Sequence, residues 1–164
     1  GEGKLEGSKD NNIYYYLGCS YEALQQKDKA TEYYKLATIG NAEPAGMMYY
    51  NDQPADMILY QGLAYEKLGD RARANARFYK LIDYGERHQN DEMKIEYFAV
   101  SLPDFLIFNE DLTKRNHAHC HYLVGLGNLG LKKEEEARQE FLTALQYEPS
   151  HQNAIRYLRL IEEE

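Results

Sequence analysis

The stretch ILYQGLAYEKLGDRARANARFYKL, residues 58–81, decides the fold. Small and apolar residues recur in it at helical spacing, first Ile58, Gly62 and Tyr65, then Ala74, Phe78 and Leu81. Between the two runs, Gly69 can end one helix and Asp70 can accept from the open N–H groups of the next. The same register returns upstream as Tyr14, Leu17, Gly18, Tyr21, Ala30, Tyr34 and Ala37. It returns downstream as His121, Val124, Gly125, Ala137, Phe141, Ala144 and Pro149. In every copy Ala follows Gly by 12 positions and an aromatic follows by 16. With 13% aromatics in the chain, the aromatic column alone arises by chance about once in five hundred.

The pattern predicts a helical hairpin in each copy, with a first helix around the Gly and a second around the Ala. Small residues at both places let two backbones approach toward the low end of the usual separation, about 8–10 Å. The aromatic is expected to fill the space between hairpins. Asp28 falls inside the first turn of its second helix, where a carboxylate suits the helix dipole.

These columns resemble the tetratricopeptide repeat (TPR), a helix pair of about 34 residues. The copies occupy residues 11–44, 55–88 and 118–151. The resemblance implies an all-α fold: a TPR-like right-handed superhelix of three helical hairpins, here with an inserted helix and a C-terminal capping helix. Departures are few: Asn128 stands for the usual Tyr, Gln61 for the usual Leu, and Lys132-Lys133 brings no cap. After Pro149, Ser150 can cap a last helix over 150–161, in which Ala154, Ile155, Leu158 and Ile161 form one apolar stripe.

Two insertions remain, 45–54 and 89–117. In the second, Asp91 can start a helix running to about Ser101, Pro103 is read as its stop, and Phe105 to Phe108 as a buried turn between the second and third hairpins. Residues 84–130, YGERHQNDEMKIEYFAVSLPDFLIFNEDLTKRNHAHCHYLVGLGNLG, also resemble the C-terminal repeat region of large bacterial proteins carrying a β-rich domain of unknown function. Residues 1–10 are polar and without periodicity, as in a tag remnant or linker, and 11–164 are expected to form one domain, an excised part of a longer bacterial protein.

Of the 164 residues 43% are apolar and 28% charged, a globular balance. The net charge of -8 opposes a phosphate backbone, which excludes nucleic acid as a partner class. No apolar run approaches the roughly 18 residues of a membrane helix. A cytoplasmic location is expected, with Cys19 and Cys120 as free thiols.

Gly125-Leu126-Gly127-Asn128-Leu129-Gly130 satisfies the dinucleotide fingerprint, but that motif works only where a strand delivers it to a helix inside a βαβ unit. Gly125 belongs instead to the repeat's Gly column, and Gly130 ends a first helix. His117 and His121 share a helical face at a spacing that suits two ligands of one Zn²⁺, yet Ala118 stands where a zinc protease would carry its base. A packing role is favoured, with no metal and no cofactor. The charges from Lys132 to Glu136 read as a solvated face, and no nucleophile–base pair or carboxylate dyad is evident. The expectation is a chain that is not an enzyme.

In the repeat family the first helices line the concave face. By position this implies Asn12, Tyr15, Tyr16, Cys19 and Glu22 from the first copy, Asp56, Leu59, Tyr60, Leu63 and Glu66 from the second, and His119, Tyr122, Leu123 and Leu126 from the third. The binding groove is assigned to Asn12, Tyr15, Tyr16, Glu22, Asp56, Tyr60, Glu66, His119 and Tyr122. The competing reading is that the 89–117 insert packs into the groove and the tyrosines are core. The family's chaperone-tail binders clamp a terminal carboxylate with Lys and Asn; Tyr15 and Cys19 occupy those places here, which argues against such tails. The function expected is a non-catalytic protein–protein interaction or self-association module. Its partner is a protein or peptide, with another domain of the same chain and an oligomer as further options. The alternative is an accessory module of an enzyme or sugar-handling protein whose aromatic groove binds a small molecule.

Overall fold

The computed structural model of the chain describes residues 10–47, 54–92 and 102–163, with backbone alone over 102–108. Among them are seven helices and no strand: α1 (Asn11–Ala23), α2 (Lys27–Ala37), α3 (Asp56–Lys67), α4 (Arg71–His88), α5 (Leu102–Gly130), α6 (Glu134–Tyr147) and α7 (Gln152–Glu162). Successive pairs α1/α2, α3/α4 and α5/α6 are the three hairpins, and α7 packs on α6 as the cap. The fold is all-α and TPR-like, as the columns predict.

The Gly and aromatic columns meet within each hairpin. A Cβ built on Gly18 would lie 2.5 Å from the Tyr34 ring, and one on Gly125 would lie 2.5 Å from the Phe141 ring. Gly62 stands in the same relation to Phe78. The aromatic does more than fill space between hairpins: it rests first on the backbone of its own partner helix. Phe78 then also meets Gly130 of the next hairpin, so one ring bridges two hairpins. The dinucleotide-like glycines are thus all packing positions. Gly125 receives Phe141, Gly127 admits Ile82 and the Phe78 carbonyl, and Gly130 receives Phe78.

Each hairpin turn uses one residue in the left-handed region, seven positions after the column Gly: Gln25 (φ 62), Gly69 (φ 80) and Lys132 (φ 65). The next amide closes the same bond in all three, Gln26 to the Tyr21 carbonyl, Asp70 to Tyr65 and Lys133 to Asn128, each at 2.9 Å. This is the Schellman geometry, and only the middle hairpin places Gly where it costs least. Asp70 caps α4 as expected, accepting from the Arg73 amide at 3.1 Å.

Three expectations require correction. Pro103 does not stop a helix and Phe105 to Phe108 are not a turn, because α5 starts at Leu102 and continues unbroken through the third copy. Proline is tolerated in a first turn, where its missing N–H has no intrahelical acceptor. The cap of α7 is His151, whose Nδ1 accepts from the Ala154 amide at 3.1 Å, and not Ser150, which lies in the preceding turn. The buried face of α7 is Ala154, Tyr157, Leu158 and Ile161, with Tyr157 in place of the expected Ile155. The helix expected from Asp91 to Ser101 lies outside the described residues beyond Glu92.

Gln61, a departure from the repeat pattern, has a structural task. Its buried amide donates to the Asn41 carbonyl at 3.1 Å and accepts from Arg77 Nε at 3.0 Å, tying the segment after α2 to α4. Asn11 does similar work, donating to the carbonyls of Ala37 and Ile39 at 2.6 and 2.7 Å and closing the end of α2.

Two stability measurements check this packing. Gly62→Leu is expected to cost about 1–3 kcal/mol by overpacking against Phe78, read as a lowered midpoint in urea. Gln25→Gly is expected to stabilise by about 0.5–1 kcal/mol, since it relieves a left-handed L-residue without touching the core. A Gln25→Gly variant no more stable than the parent would count against that turn geometry.

Candidate binding cleft

The concave face has an inner column two positions before each column Gly: Tyr16 in α1, Tyr60 in α3 and Leu123 in α5. Tyr15, Tyr16, Tyr34 and Tyr60 form a continuous ring cluster, with Tyr15 in contact with the other three at centroid distances of 5.6–6.0 Å. The hydroxyls of Tyr16 and Tyr60 share a hydrogen bond at 3.0 Å. Tyr60 is buried, while Tyr16 is exposed on one side.

Helix α7 comes over this face. Tyr157 is stacked on Phe141 and packs against Tyr122, and its hydroxyl donates to Asp56 Oδ2 at 3.4 Å. Arg156 reaches the same carboxylate oxygen at 3.2 Å. Burial raises the Asp56 carboxyl above its ordinary range, and the Arg156 guanidinium opposes that shift. Beside α7 a cleft of about 300 Å³ stays open, lined by Tyr15, Tyr16, Leu59, Tyr60 and Leu63 on one wall and by Tyr157, Leu160 and Ile161 on the other. Leu129, Lys132 and Glu134 complete its lining.

The assigned groove residues therefore divide. Tyr15, Tyr16 and Tyr60 come together in the cleft, with Leu59 and Leu63 beside them. Glu66 is tied to Lys132 of that lining at 3.6 Å. Asn12 and Glu22 do not line the cleft; Glu22 accepts from the Tyr34 hydroxyl at 2.8 Å and pairs with Lys67 at 3.1 Å, contacts that hold its carboxyl below the ordinary value. Asp56 lies buried beneath α7. His119, Tyr122, Leu123 and Leu126 are buried, so the third copy presents no open surface at these positions. Cys19 is half-buried beside Tyr15.

Two segments cover the third copy. The His119 ring donates from Nε2 to the Ala45 carbonyl at 2.9 Å, and Tyr122 packs against His151 and Tyr157. His117 and His121 both stack on Tyr147, and His121 Nδ1 contacts Glu140 at 2.7 Å, so the pair is engaged in packing. Among the described residues no three His, Cys, Asp or Glu side chains gather as metal ligands. Both cysteines are free thiols. Burial pushes the Cys120 thiol up to about 12, which keeps it protonated and unreactive at neutral pH.

The sequence reading left out Leu129, Lys132 and Glu134 and the whole α7 wall of Tyr157, Leu160 and Ile161. The signal for that wall is present, because one more period of about 34 residues carries the inner column from Leu123 to Tyr157. Among the described residues, no helix is long and apolar enough to cross a membrane.

No family model matches the sequence. Among solved structures, one titled the first TPR of Spaghetti (RPAP3) bound to the HSP90 peptide SRMEEVD aligns over 98% of this chain and 97% of that chain, at 16% identity and a TM-score of 0.29.

The buried histidines give the fold a pH dependence of defined sign. Burial pushes His119 down to about 4, so it is neutral when folded, whereas the unfolded chain takes up a proton near the ordinary value of about 6.5. Its contribution is complete above that value and is lost as pH falls toward about 4, a loss approaching about 3 kcal/mol. Burial lowers His151 in the same direction. His119→Gln keeps an amide donor for the Ala45 carbonyl and does not titrate, so its melting temperature is expected to fall less between pH 7 and pH 5 than that of the parent chain. Equal falls would place the acid sensitivity elsewhere.

Proposed function

We propose that residues 11–164 act as a single non-catalytic interaction domain that receives a segment of a partner protein in the tyrosine-lined cleft. The carrying observation is the contrast along the concave face. Where α7 lies, the face accepts an amphipathic helix through a Tyr–Asp contact and an Arg–Asp pair. Where α7 leaves it uncovered, Tyr15, Tyr16 and Leu63 present the same mixture of flat apolar area and hydroxyls, with the buried Tyr60 behind them. Tyrosines supply such surfaces at low entropic cost, having few rotatable bonds to fix.

The charged groups around the face support a binding role rather than a catalytic one. Asp56 is committed to Arg156, Glu22 to Tyr34 and Lys67, and Glu66 to Lys132. Each is a structural pair. The partner is a protein or peptide, another domain of a longer parent chain being one source.

A phage-displayed random peptide library, selected against the intact chain, tests the reading. Enriched peptides are expected to lose tenfold or more in affinity, about 1.4 kcal/mol, toward Tyr16→Ala and Leu63→Glu. Peptides that bind both variants as well as the parent would move the site away from the cleft. A selection that enriches nothing would remove support for a peptide-binding function.

A further inference from the structure

Three columns of the repeat, at five and one positions before the column Gly and two after it, form one face of each first helix. In α3 they are Met57, Gln61 and Ala64; in α5 they are Cys120, Val124 and Gly127; all are buried. One more period places Ala154, Leu158 and Ile161 there in α7, again buried. What covers this face is the preceding hairpin. Ala64 packs with Ala30, Tyr34 and Ala37 around α2, and Gln61 is bonded to Asn41 just after it. The Cys120 carbonyl, Val124 and Gly127 meet Gly85, Ile82 and the Phe78 carbonyl of α4.

In α1 the same columns hold Ile13, Leu17 and Ser20, and Leu24 continues the stripe just past the helix end. Here the apolar members are open: Ile13 is 53% exposed, Leu17 37% and Leu24 65%. The spacing of four, three and four residues confines the four side chains to about 60° of arc on a helix turning 100° per residue. Alternating apolar residues at that spacing are the seam of a two-helix coiled coil.

We propose that this face of α1 pairs with the same face of a second copy of this chain, antiparallel about a two-fold axis midway between Gly18 and Cys19. The sequence is complementary to itself in that arrangement. Ile13 lies opposite Leu24 of the second copy, and Leu17 fits over the small Ser20 of the second copy, so each layer joins a large residue to a partner it has room for. A two-fold contact of this kind closes on itself and leaves no helix-receiving face open. The pairing is separate from the cleft, because Ile13, Leu17, Ser20 and Leu24 do not line it; failure of either proposal leaves the other standing.

Sedimentation velocity on the intact chain decides the matter. A seam of one short helix pair is at the small end of specific interfaces, so dimer is expected to dominate only near about 100–200 μM. Leu17→Glu is expected to leave a monomer at the same concentration, with an unchanged far-UV circular dichroism spectrum. Ser20→Leu separates packed pairing from general stickiness: it makes the surface more apolar, yet it fills the place of the opposing Leu17, so the dimer is expected to weaken at least tenfold. A parent chain that stays monomeric up to that concentration overturns the proposal. A dimer that survives Leu17→Glu, a dimer strengthened by Ser20→Leu, or an open-ended polymer in place of a dimer overturns it equally.

Discussion

Because Gly18, Gly62 and Gly125 carry no Cβ, the rings of Tyr34, Phe78 and Phe141 lie directly on the backbone of the facing helix, and every hairpin takes its separation from that contact. The ring in turn meets the next hairpin, so the same side chain sets the step of the stack. The two junctions solve this differently. At the second, Gly130 lets Phe78 pass from one hairpin to the next without a gap. At the first, Lys67 stands where Gly130 stands, five positions after the column Gly, and the ring is a tyrosine. Its hydroxyl donates to Glu22, and Lys67 reaches that carboxylate from the neighbouring hairpin. A polar ring tip therefore goes with a polar junction, and an apolar one with a glycine. Tyr34 belongs to a small cluster around Ala30 and Ala37, while Phe78 belongs to the large core shared by α3 to α7.

Much of the hairpin architecture was legible because close contact between helices imposes residue size, and size is written in the sequence at fixed spacing. The columns led by Gly62, Ala74 and Phe78 fixed where helices face each other. Backbone conformation was less visible. Gly69 marked its turn, but Gln25 and Lys132 adopt the same left-handed geometry with no glycine to announce it. The hydrogen bonds of the turn hold these residues there, and such bonds involve backbone atoms that every residue has. Pro103 misled for the opposite reason, since its effect depends on its place in a helix: it breaks an interior and suits a first turn.

The candidate site was half legible. Register identified which side chains point into the concave face, and that direction is local information. Whether an inward side chain remains open depends on segments far away in sequence. The Ala45 carbonyl covers His119 across 74 positions, and Tyr157 arrives over Asp56 across 101. Tyr15 and Tyr16 escape this cover, and Tyr60 and Tyr122 do not. A sequence pattern of period about 34 carries no marker for such crossings, except where the period itself is continued one step to Tyr157.

Helix α7 departs from the repeat at the contact that builds each hairpin. In α7 the position of the column Gly is taken by Arg159, 34 residues after Gly125, and its side chain is exposed. An arginine there gives an aromatic ring no bare backbone to rest on. The face that receives the preceding hairpin is kept, through Ala154, Leu158 and Ile161, while the face that would receive a following helix is charged. Leu160, one position on, falls in the column of Leu63 and Leu126 and turns toward the cleft. Helix α7 thus keeps the inner and stacking columns of a repeat and departs from it in the column of the glycine. A single helix can for that reason both cap the core and supply one wall of the cleft, and removing it would strip Phe141 and Tyr122 of their stacking partner as well as opening the face above Asp56.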